Sequence, residues 1–383
     1  MIRPSVVALL TLSLILAGVV SCTSPTEPEP EIKIGVIAYT VGDSQICCGT
    51  PTLHTVELIE QEVNSNGGLN VNGKMHRVTV IVEGTDNTPE QVVAAAKRLI
   101  NQENVVAIIG PQHSGEAIPV GEVAEGSRIP MISPMSTNAR TTRDRPYVFR
   151  VGFLDELQGR TLAKFAFEEI SSRRAAVLYN IAKPYSHGLA DIFKQTFTDM
   201  GGEIVSFESY TTGQSDFSDQ LGKIHRQKPD LLFLPNHNSD VLIQGPQARK
   251  LGISAVFLGS DGWDETELAG LSEFDGSYKS AHWSESIDSK SNRLFISEYR
   301  RLHDEDPNNT AALTYDAFGM IFDAIELMGK ADPESIKEGL YRLPPYWGLS
   351  GIIDFSDTGD PEKNVVILNF RDGKVFFHRM FSP

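Results

Sequence analysis

Short apolar runs alternate with amphipathic stretches through most of the chain. The runs IKIGVIAY (32–39), HRVTVIVEG (76–84) and VVAIIG (105–110) predict strands. Between them, TLHTVELIEQEVNSNGG (52–68) and EQVVAAAKRLI (90–100) have the periodicity of helices with one apolar face. Because strands buried on both faces are apolar throughout, this alternation is typical of a parallel sheet covered by helices.

The start of one helix carries an explicit signal. Thr88, Pro89 and Gln91 match a capping box with proline in the first helical position. We therefore expect this helix to begin at Pro89, with the side chains of Thr88 and Gln91 bonded to backbone N–H groups.

A second α/β series begins near Val151. After its strands, VVILNFRDGKVFF (365–377) predicts a hairpin whose turn is Asp372 and Gly373. Two successive series predict an α/β fold with two Rossmann-like lobes. The predicted strands of the second series are RAAVLYN (174–180), EIVSFESY (203–210), DLLFLPN (230–236) and SAVFLGS (254–260).

The N-terminus predicts export. Arg3 precedes the apolar run VVALLTLSLILAGVV (6–20), which is too short for a comfortable membrane span. A small residue directly before Cys22 resembles the lipobox of bacterial lipoproteins, although Val19 stands where leucine is commoner. We expect residues 1–21 to be a lipoprotein signal peptide and Cys22 to be the lipidated first residue of the mature chain. The alternative is an ordinary signal peptide cleaved nearby.

Composition narrows the remaining possibilities. Residues 22–31 are proline-rich and acidic, which predicts a disordered tether. With 383 residues, of which 40% are hydrophobic and 22% charged, the chain is long enough for two domains with separate cores. The formal net charge of −16 argues against a nucleic acid as partner, because binding to phosphates needs a basic face.

Standard catalytic and metal-binding motifs are missing from the sequence. It contains no G-x-S-x-G, H-E-x-x-H, G-x-x-x-x-G-K-[ST] or G-x-G-x-x-G. An enzyme is therefore unsupported, and no cofactor is expected. His237, in PNHNSD (235–240), lacks the spacing of a closed metal site, so we expect it to be a polar residue of a pocket or loop and expect no metal there.

The stretch LGSDGWDE (258–265) places a carboxylate directly after a predicted strand. In open α/β sheets, ligands bind at the carboxyl ends of the strands, where loops converge and helix N-termini point into the crevice. Asp261 is therefore a candidate ligand-binding residue. The alternative is that it only starts the following helix as a turn or N-cap residue.

The order and spacing of eight stretches indicate a family. Together they resemble the type I periplasmic solute-binding proteins of branched-chain amino acid ABC transporters, from Ile32 to about Phe377. The stretches are VNSNGGLNVNGKMHRVTVIVEGTDNTPEQVVAAAKRLI, IIGPQHSGEA, IPMISPMSTN, YVFRV, PYSHGLADIF, QARKLGISAVFLGSDGWD, LTYDAFGMIFDAI and GLSGIIDFSDTGD.

In that family, an amino acid is held between the lobes by its α-carboxylate and α-ammonium groups. The resemblance implies that Ser114, which follows a strand and opens a helix, and Thr137 bind the carboxylate with their hydroxyl groups. Met135 aligns with a position that contacts the ligand through its backbone, and Ser136 lies between Met135 and Thr137. The alternatives are a plain N-cap for Ser114 and a polar turn after Pro134 for Ser136 and Thr137.

The other end of the ligand is assigned to the second lobe. Asp261 aligns with the acid that receives the α-ammonium, whose burial without a counter-charge would be costly. Tyr185 matches a tyrosine that would supply an acceptor or a cation–π face, although Ser186 replaces the glycine that usually follows. The alternative for Tyr185 is packing.

The resemblance also places several groups near the mouth of the cleft, where the ligand's side chain would be selected. They mix aromatic and polar types, so the sequence selects neither a glutamate-like nor a purely aliphatic ligand. For the aromatic residues of AHWSES a role in the core is an open alternative. These candidates are Tyr39, the loop 42–50, Asn236, His237, Trp263, His282 and Trp283.

The loop contains two adjacent cysteines, which departs from the family. With Cys22 lipidated, Cys47 and Cys48 are the only thiols left, in a compartment that permits disulfides. Two alternatives stay open, a strained vicinal disulfide that would stiffen the loop and a pair of free thiols.

By analogy with the family, the chain crosses between the lobes three times. Residues 32–151 with 285–349 are expected to form the N-terminal lobe, and 152–284 with 350–383 the C-terminal lobe. The three connections would act as a hinge of three strands.

These features predict a binding role without chemistry. We expect a monomeric lipoprotein, anchored to the outer face of a bacterial membrane, that captures an L-amino acid by closure and delivers it to an ABC permease and ATPase complex. The alternatives are a ligand-sensing lipoprotein of the same fold, a binder of an amide or aromatic acid, and an extracytoplasmic hydrolase that uses the acids of the cleft.

Overall fold

Two sheets form the centres of two lobes in the computed structural model, which describes residues 30–42, 44–355 and 358–382. The expected signal peptide, Cys22 and the tether up to residue 29 lie outside the described residues. Glu31, expected as the end of the tether, is already the first residue of a strand. Among the described helices, none has the length and the apolar run that a bilayer crossing requires.

The strands follow the predicted alternation with helices. In chain order they are β1 (Glu31–Tyr39), β2 (Leu69–Val71), β3 (Lys74–Thr85), β4 (Ala107–Ile109), β5 (Met131–Ser133), β6 (Val148–Arg150), β7 (Arg174–Asn180), β8 (Glu203–Tyr210), β9 (Leu231–Leu234), β10 (Val256–Gly259), β11 (Tyr278–Ala281), β12 (Tyr346–Gly348), β13 (Gly351–Ile353), β14 (Val365–Arg371) and β15 (Lys374–Phe381).

The helices cover both faces of the sheets. They are α1 (Thr50–Ser65), α2 (Pro89–Arg98), α3 (Ser114–Ser127), α4 (Asp155–Glu168), α5 (Pro184–Asp199), α6 (Ser218–Gln227), α7 (Asn238–Lys250), α8 (Glu265–Ala269), α9 (Lys290–His303), α10 (Asn309–Met328) and α11 (Pro333–Arg342). A π-helical turn over Gln45–Gly49 leads into α1.

The first sheet has the spatial order β2-β3-β1-β4-β5-β6. All its pairs are parallel except β2 with β3. The apolar run of β1 is central and almost wholly buried, with Ile34 opposite Val80 on one side and Ala107 on the other. The two faces carry separate apolar clusters, and α9, α10 and α11 contribute to one of them.

The second sheet has the order β15-β14-β11-β10-β9-β7-β8. Strands β7 to β11 are parallel, and β14 and β15 add an antiparallel hairpin at one edge. Its turn is Asp372 and Gly373, both with positive φ, which confirms the predicted hairpin. The predicted α/β fold with two parallel-sheet lobes is thereby confirmed.

The predicted start of α2 has the right position, but the predicted capping hydrogen bonds are wrong. The helix begins at Pro89 as expected, but the side chain of Thr88 caps no backbone N–H. Instead, Thr88 Oγ1 and Gln91 Nε2 each donate to the carboxylate of Asp86, at 2.8 Å. The capping box is not formed because a preceding acid accepts from both of its members.

The chain passes between the lobes three times, and two of the passages are tied together. The guanidinium of Arg150, at the end of β6, is fully buried and lies 2.5 Å from a carboxylate oxygen of Asp360. Arg150 also donates to the backbone carbonyls of Ser136 and Asn138 and to Thr142 Oγ1. At the remaining passage, Asn309 Oδ1 accepts the N–H groups of His282 and Trp283.

The third passage comes later than expected. Leu349, Ile353 and Phe355 pack in the core of the first lobe. The N–H groups of Leu349 and Ser350 are held there by the buried carboxylate of Asp316 on α10. Residues 350–355, which were expected in the C-terminal lobe, therefore lie against the first lobe.

Arg150 should be essential to this hinge. We expect Arg150→Leu to lower the free energy of unfolding by about 3–5 kcal/mol, because it leaves a partly buried carboxylate and three acceptors without their donor. Urea denaturation followed by circular dichroism measures the change. The matched control is Arg160→Leu, which breaks an exposed pair with Glu156 on α4 and should change stability by less than about 0.5 kcal/mol. Equal effects of the two substitutions would contradict the role given to Arg150.

Candidate functional site

A cavity of about 430 Å³ lies between the lobes, at the carboxyl ends of strands from both sheets. Both lobes contribute to its wall. The lining residues are Ser44, Ile46, Cys47, Cys48, Gln112, His113, Ser114, Met135, Asn308, Asn309 and Thr310 from the first lobe and Tyr185, His237, Asn238, Ser239, Leu242, Ile243, Asp261, Gly262, Trp263, Asp264, Glu265 and Glu267 from the second.

Ser114 lies where α3 begins, on the wall of this cavity. Its Oγ accepts from Ser136 Oγ at 3.1 Å and from the backbone N–H of Asn138 at 3.2 Å. The first N–H groups of a helix lack partners within the helix, and the helix dipole favours negative charge at this end. This part of the wall is therefore suited to a carboxylate.

The three residues after Pro134 divide between wall and interior. Met135 lines the cavity, whereas Ser136 and Thr137 are buried and do not line it. Thr137 Oγ1 donates to Asp155 Oδ1 at 2.6 Å, at the start of α4. Burial raises the pKa of Asp155 to about 7, and the negative charge of Asp261 adds to the increase. In this structure, Thr137 thus holds Asp155 instead of facing a ligand.

Asp261 faces the cavity at the end of β10, and three side chains surround its carboxylate. Tyr185 lies 2.6 Å from Oδ1, Gln158 Nε2 donates to the same oxygen, and His282 Nε2 lies 3.1 Å from Oδ2. Burial by itself raises the pKa of Asp261, but His282, Tyr185 and Gln158 outweigh it, so the pKa falls below its ordinary value. A carboxylate has about four acceptor positions, which leaves one for a donor in the cavity.

The tyrosine of this cluster is itself held in place. The Tyr185 hydroxyl lies 2.6 Å from Ser260 Oγ and accepts from the N–H of Gly262 at 3.1 Å. A Cβ at residue 262 would approach the Tyr185 hydroxyl to 3.1 Å, so a small residue suits this turn. The stretch GSDGW therefore shapes the contact between Asp261 and Tyr185, and the interpretation of Asp261 as a mere turn residue does not account for it.

His282 has a different place from the one expected. It does not line the cavity and lies behind Asp261, fully buried. Burial lowers its pKa, so the ring is neutral at neutral pH and its Nε2–H donates to Asp261. Its Nδ1 has no partner among the described residues.

Two histidines from opposite lobes meet in the cavity. The rings of His113 and His237 are 4.3 Å apart between centroids, and Tyr185 follows at 5.1 Å from His237. Burial lowers the pKa of His237 to about 4 and that of His113 well below its ordinary value, so both rings are neutral. The sequence did not single out His113, although it stands directly before Ser114 in the stretch IIGPQHSGEA.

Tyr39 supports this wall from behind. It is fully buried and does not line the cavity, but its hydroxyl accepts the backbone N–H of His113 at 3.0 Å. Tyr39 therefore positions His113 instead of facing the cleft.

The tryptophans and Asn236 belong mainly to the cores. Trp263 borders the cavity, but it packs in the second lobe and its Nε1 donates to the carbonyl of Leu234 at 3.0 Å. Trp283 packs in the first lobe, with Nε1 donating to Asn292 Oδ1 at 2.7 Å. Asn236 is buried away from the cavity, where its Nδ2 donates to the carbonyl of Leu178 at 2.8 Å. The core alternative for the aromatic residues of AHWSES therefore matches the structure.

The two adjacent cysteines lie in the π-helical turn on the first-lobe wall. Both are free thiols in this structure, so the vicinal disulfide is not formed. A Cβ at Gly49 would overlap the carbonyl oxygen of Tyr39, so only glycine lets this turn pack against the end of β1. The predicted loop is thus a fixed turn in its described part.

Acidic side chains dominate the second-lobe wall. Asp264 caps α8, and Glu265 pairs with Lys279 at 3.0 Å and accepts from Asn309 Nδ2 of the first lobe at 2.8 Å. With Glu267 and Asp261 they bring four carboxylates to the cavity. Among the described residues, those that line the cavity include no Lys or Arg.

Further contacts hold the lobes together beside the cavity. Lys183, before α5, lies 3.6 Å from the carboxylate of Glu116 on α3. Burial raises the pKa of Glu116, and the nearby Lys183 opposes this increase. Asn138 Nδ2 donates to the carbonyl of Pro184 at 3.1 Å. Because these contacts join opposite lobes, they belong to the closed arrangement.

Known proteins share this fold. A family profile described as "Periplasmic binding protein" matches residues 31–374. The leucine-, isoleucine-, valine-, threonine-, and alanine-binding protein of Pseudomonas aeruginosa is 26% identical over 302 residues, which cover 78% of this chain and 79% of that protein.

Solved structures agree with the profile. The leucine-binding protein LivK of Thermotoga maritima has a TM-score of 0.86 and 30% identity, covering 92% of this chain and 99% of that chain. A solute-binding protein of an ABC transporter from R. palustris, solved with benzoate, has a TM-score of 0.80 and covers 92% of this chain and 97% of that chain. At 20% identity it shows the fold alone. The chain therefore belongs to the periplasmic binding protein family, in the type I group that includes the leucine/isoleucine/valine-binding proteins.

Proposed function

We propose that this protein is the exported substrate-binding component of an ABC importer, which captures an L-amino acid between its lobes by closure and delivers it to a membrane permease and its ATPase. The observation that carries the proposal is the carboxylate of Asp261, buried in the cleft wall with one acceptor position left. The protein acts by binding alone, as a monomer.

The ammonium end of the ligand is assigned to Asp261. Desolvating an ammonium costs several kcal/mol unless a hydrogen-bonded counter-charge replaces its water. Asp261 supplies that charge, and its lowered pKa keeps it ionised at neutral pH. Tyr185, Gln158 and His282 already hold the carboxylate in one orientation, so binding does not have to order it.

The carboxylate end is assigned to Ser114 and the N-terminus of α3. A hydroxyl group and unpaired N–H groups at a helix start bind an anion without any basic side chain. Among the described residues that line the cavity there is no Lys or Arg, so an anion bound there depends on hydroxyl and N–H donors of this kind.

The charge of the cavity favours an amino acid over an aromatic acid. A benzoate-like ligand would bring a carboxylate, with no ammonium of its own, to a wall with four carboxylates, of which Glu265 is paired with Lys279. Ile46, Leu242 and Ile243 add apolar surface, and the cavity of about 430 Å³ is within the usual range for a small ligand.

Closure of the two lobes also explains how the ligand would be delivered to the permease. A ligand between the lobes favours the closed form only by its greater affinity for that form, and a permease can recognise the closed shape. Lipidation at Cys22 would hold the protein at the membrane beside the permease. A ligand-sensing lipoprotein of the same fold is the second candidate, since sensing uses the same closure.

Removing the charge of Asp261 should abolish recognition of the amine. We expect at least one group of L-amino acids to stabilise the wild type by about 2.7 kcal/mol at a hundredfold excess over Kd. Asp261→Asn should bind the same ligands at least about 30-fold more weakly, because the ammonium is buried without a counter-charge. Thermal shift against L-amino acids, small amides and aromatic acids measures both effects.

The matched control is Asp240→Asn. Asp240 also accepts from a tyrosine, Tyr210 at 2.7 Å, but does not line the cavity. The Asp240→Asn substitution should leave the affinity for the ligand unchanged. Equal responses of the wild type and Asp261→Asn, or a shift caused only by ligands that lack an amine, would refute the assignment of an amino acid.

The two hydroxyl groups assigned by resemblance should behave differently. Ser114→Ala should weaken the amino acid about 10–100-fold through loss of a charge-assisted hydrogen bond. Thr137→Val should change affinity less than about threefold but lower stability, because its hydroxyl holds Asp155. Calorimetric titration and urea denaturation measure these changes. A loss of affinity in Thr137→Val as large as in Ser114→Ala would restore Thr137 as a ligand contact.

Lys183 should act on closure without touching the ligand. Lys183→Met removes the partner of Glu116 across the cleft and should weaken the ligand about 5–50-fold, since the closed form loses stability relative to the open form. Lys223→Met, which breaks a pair with Glu208 inside the second lobe, is the matched control and should leave affinity unchanged. Unchanged affinity in Lys183→Met would show that this pair does not stabilise the closed form.

A further inference from the structure

Three potential metal ligands meet on the first-lobe wall of the cavity. One ligand atom each of Cys47, Cys48 and His113 lies within 4.8 Å of the others. The cysteines are in the turn before α1, and His113 comes 65 residues after Cys48, just before α3. The fold therefore brings together groups that no sequence spacing reveals.

The distances suit a tetrahedral ion. Bonds of about 2.3 Å to sulfur and about 2.0 Å to nitrogen place two ligand atoms of a tetrahedral Zn²⁺ roughly 3.5 Å apart. Cys48 Sγ lies 3.5 Å from His113 Nε2. The sulfur of Cys47 lies within 4.8 Å of both atoms, so its side chain would move closer to them when the ion binds.

The backbone that carries these ligands is fixed by its neighbours. Asn308 Nδ2 and Thr310 Oγ1 donate to the carbonyl oxygen of Cys47, at 2.9 and 3.1 Å. Tyr39 accepts the N–H of His113 at 3.0 Å, and its ring lies 5.0 Å from the imidazole. Outer-shell contacts of this kind hold ligands in orientation before an ion arrives.

The electrostatic surroundings favour a cation. The carboxylates of Asp264 and Glu267 line the same cavity as Cys47 and Cys48. The same negative charges attract a metal ion to this wall.

We propose that Cys47, Cys48 and His113 bind one Zn²⁺ ion in the cleft, with the fourth coordination position open to the cavity. Two thiolates and an imidazole are ligands that Zn²⁺ prefers, and three protein ligands with one open position is a recurrent arrangement. Both thiol protons pass to the solvent as the two Zn–S bonds form. All three residues line the cavity, so the ion is accessible from the cleft, on the side where His237 faces His113. The geometry of this site does not depend on which ligand the cleft binds, although the ion would share the cavity with that ligand.

Cobalt spectroscopy tests the site. The purified full chain carries Cys22→Ser, so that Cys47 and Cys48 are its only thiols, and is kept reduced. Titration with Co²⁺ should produce a thiolate-to-metal charge-transfer band that saturates at one equivalent, and Zn²⁺ should displace it. Cys47→Ser should weaken Zn²⁺ binding by more than the roughly 10–100-fold that loss of an outer-shell contact costs.

The matched control is a histidine pair on the first lobe. The rings of His54 and His303 stack 4.0 Å apart and could bind metal without sulfur. His303→Gln should leave the charge-transfer band unchanged. If Cys47→Ser does not fold, His113→Gln decides, with the same loss of affinity expected. Absence of the band, its persistence in a Cys47→Ser, Cys48→Ser double variant, or unchanged affinity in His113→Gln would overturn the proposal.

Discussion

A carboxylate buried at the end of β10 is the constraint on which the rest of the cleft depends. Asp261 can stay ionised away from water only because Tyr185, Gln158 and His282 bond to it. Gln158 is on α4, directly after the first passage between the lobes, and His282 is at the second passage. A donor that binds Asp261 is therefore connected, through one side chain, to two of the three hinge segments.

Through this connection, binding of the ligand at Asp261 can affect the movement of the two lobes about the hinge. The first and third passages are joined by Arg150 and Asp360, so the hinge segments do not move independently. The lobes meet around the cavity through Glu116 and Lys183, which do not contact the proposed ligand. The charged ends of the ligand therefore favour closure by binding more tightly to the closed form than to the open form.

Much of this architecture could be predicted from local pattern. Apolar runs located the strands, Asp372 and Gly373 located the hairpin, and the stretch LGSDGWDE placed Asp261 at the end of a strand. The family resemblance, not the local pattern, assigned Tyr185 to the same end of the ligand. Details that depend on distant partners were missed: Asp86 takes both members of the expected capping box, and Phe355 packs in the first lobe.

In the cleft, too, side-chain contacts with residues distant in sequence could not be predicted. Thr137 matches a ligand-binding position by resemblance, yet a buried acid that begins α4 takes its hydroxyl. His113 was overlooked because its neighbours, Tyr39 and Cys48, are far away in sequence. Side-chain roles at an interface between lobes follow from non-local packing, which neither periodicity nor motif order encodes.

The most direct test removes the amine from the ligand instead of the carboxylate from the protein. Calorimetric titration of the wild type would compare an amino acid that binds with its deamino analogue, identical in side chain and carboxylate. We expect the analogue to bind at least about 30-fold more weakly, because Asp261 is then left buried opposite no cation. Equal affinity for the two would contradict the central role of Asp261.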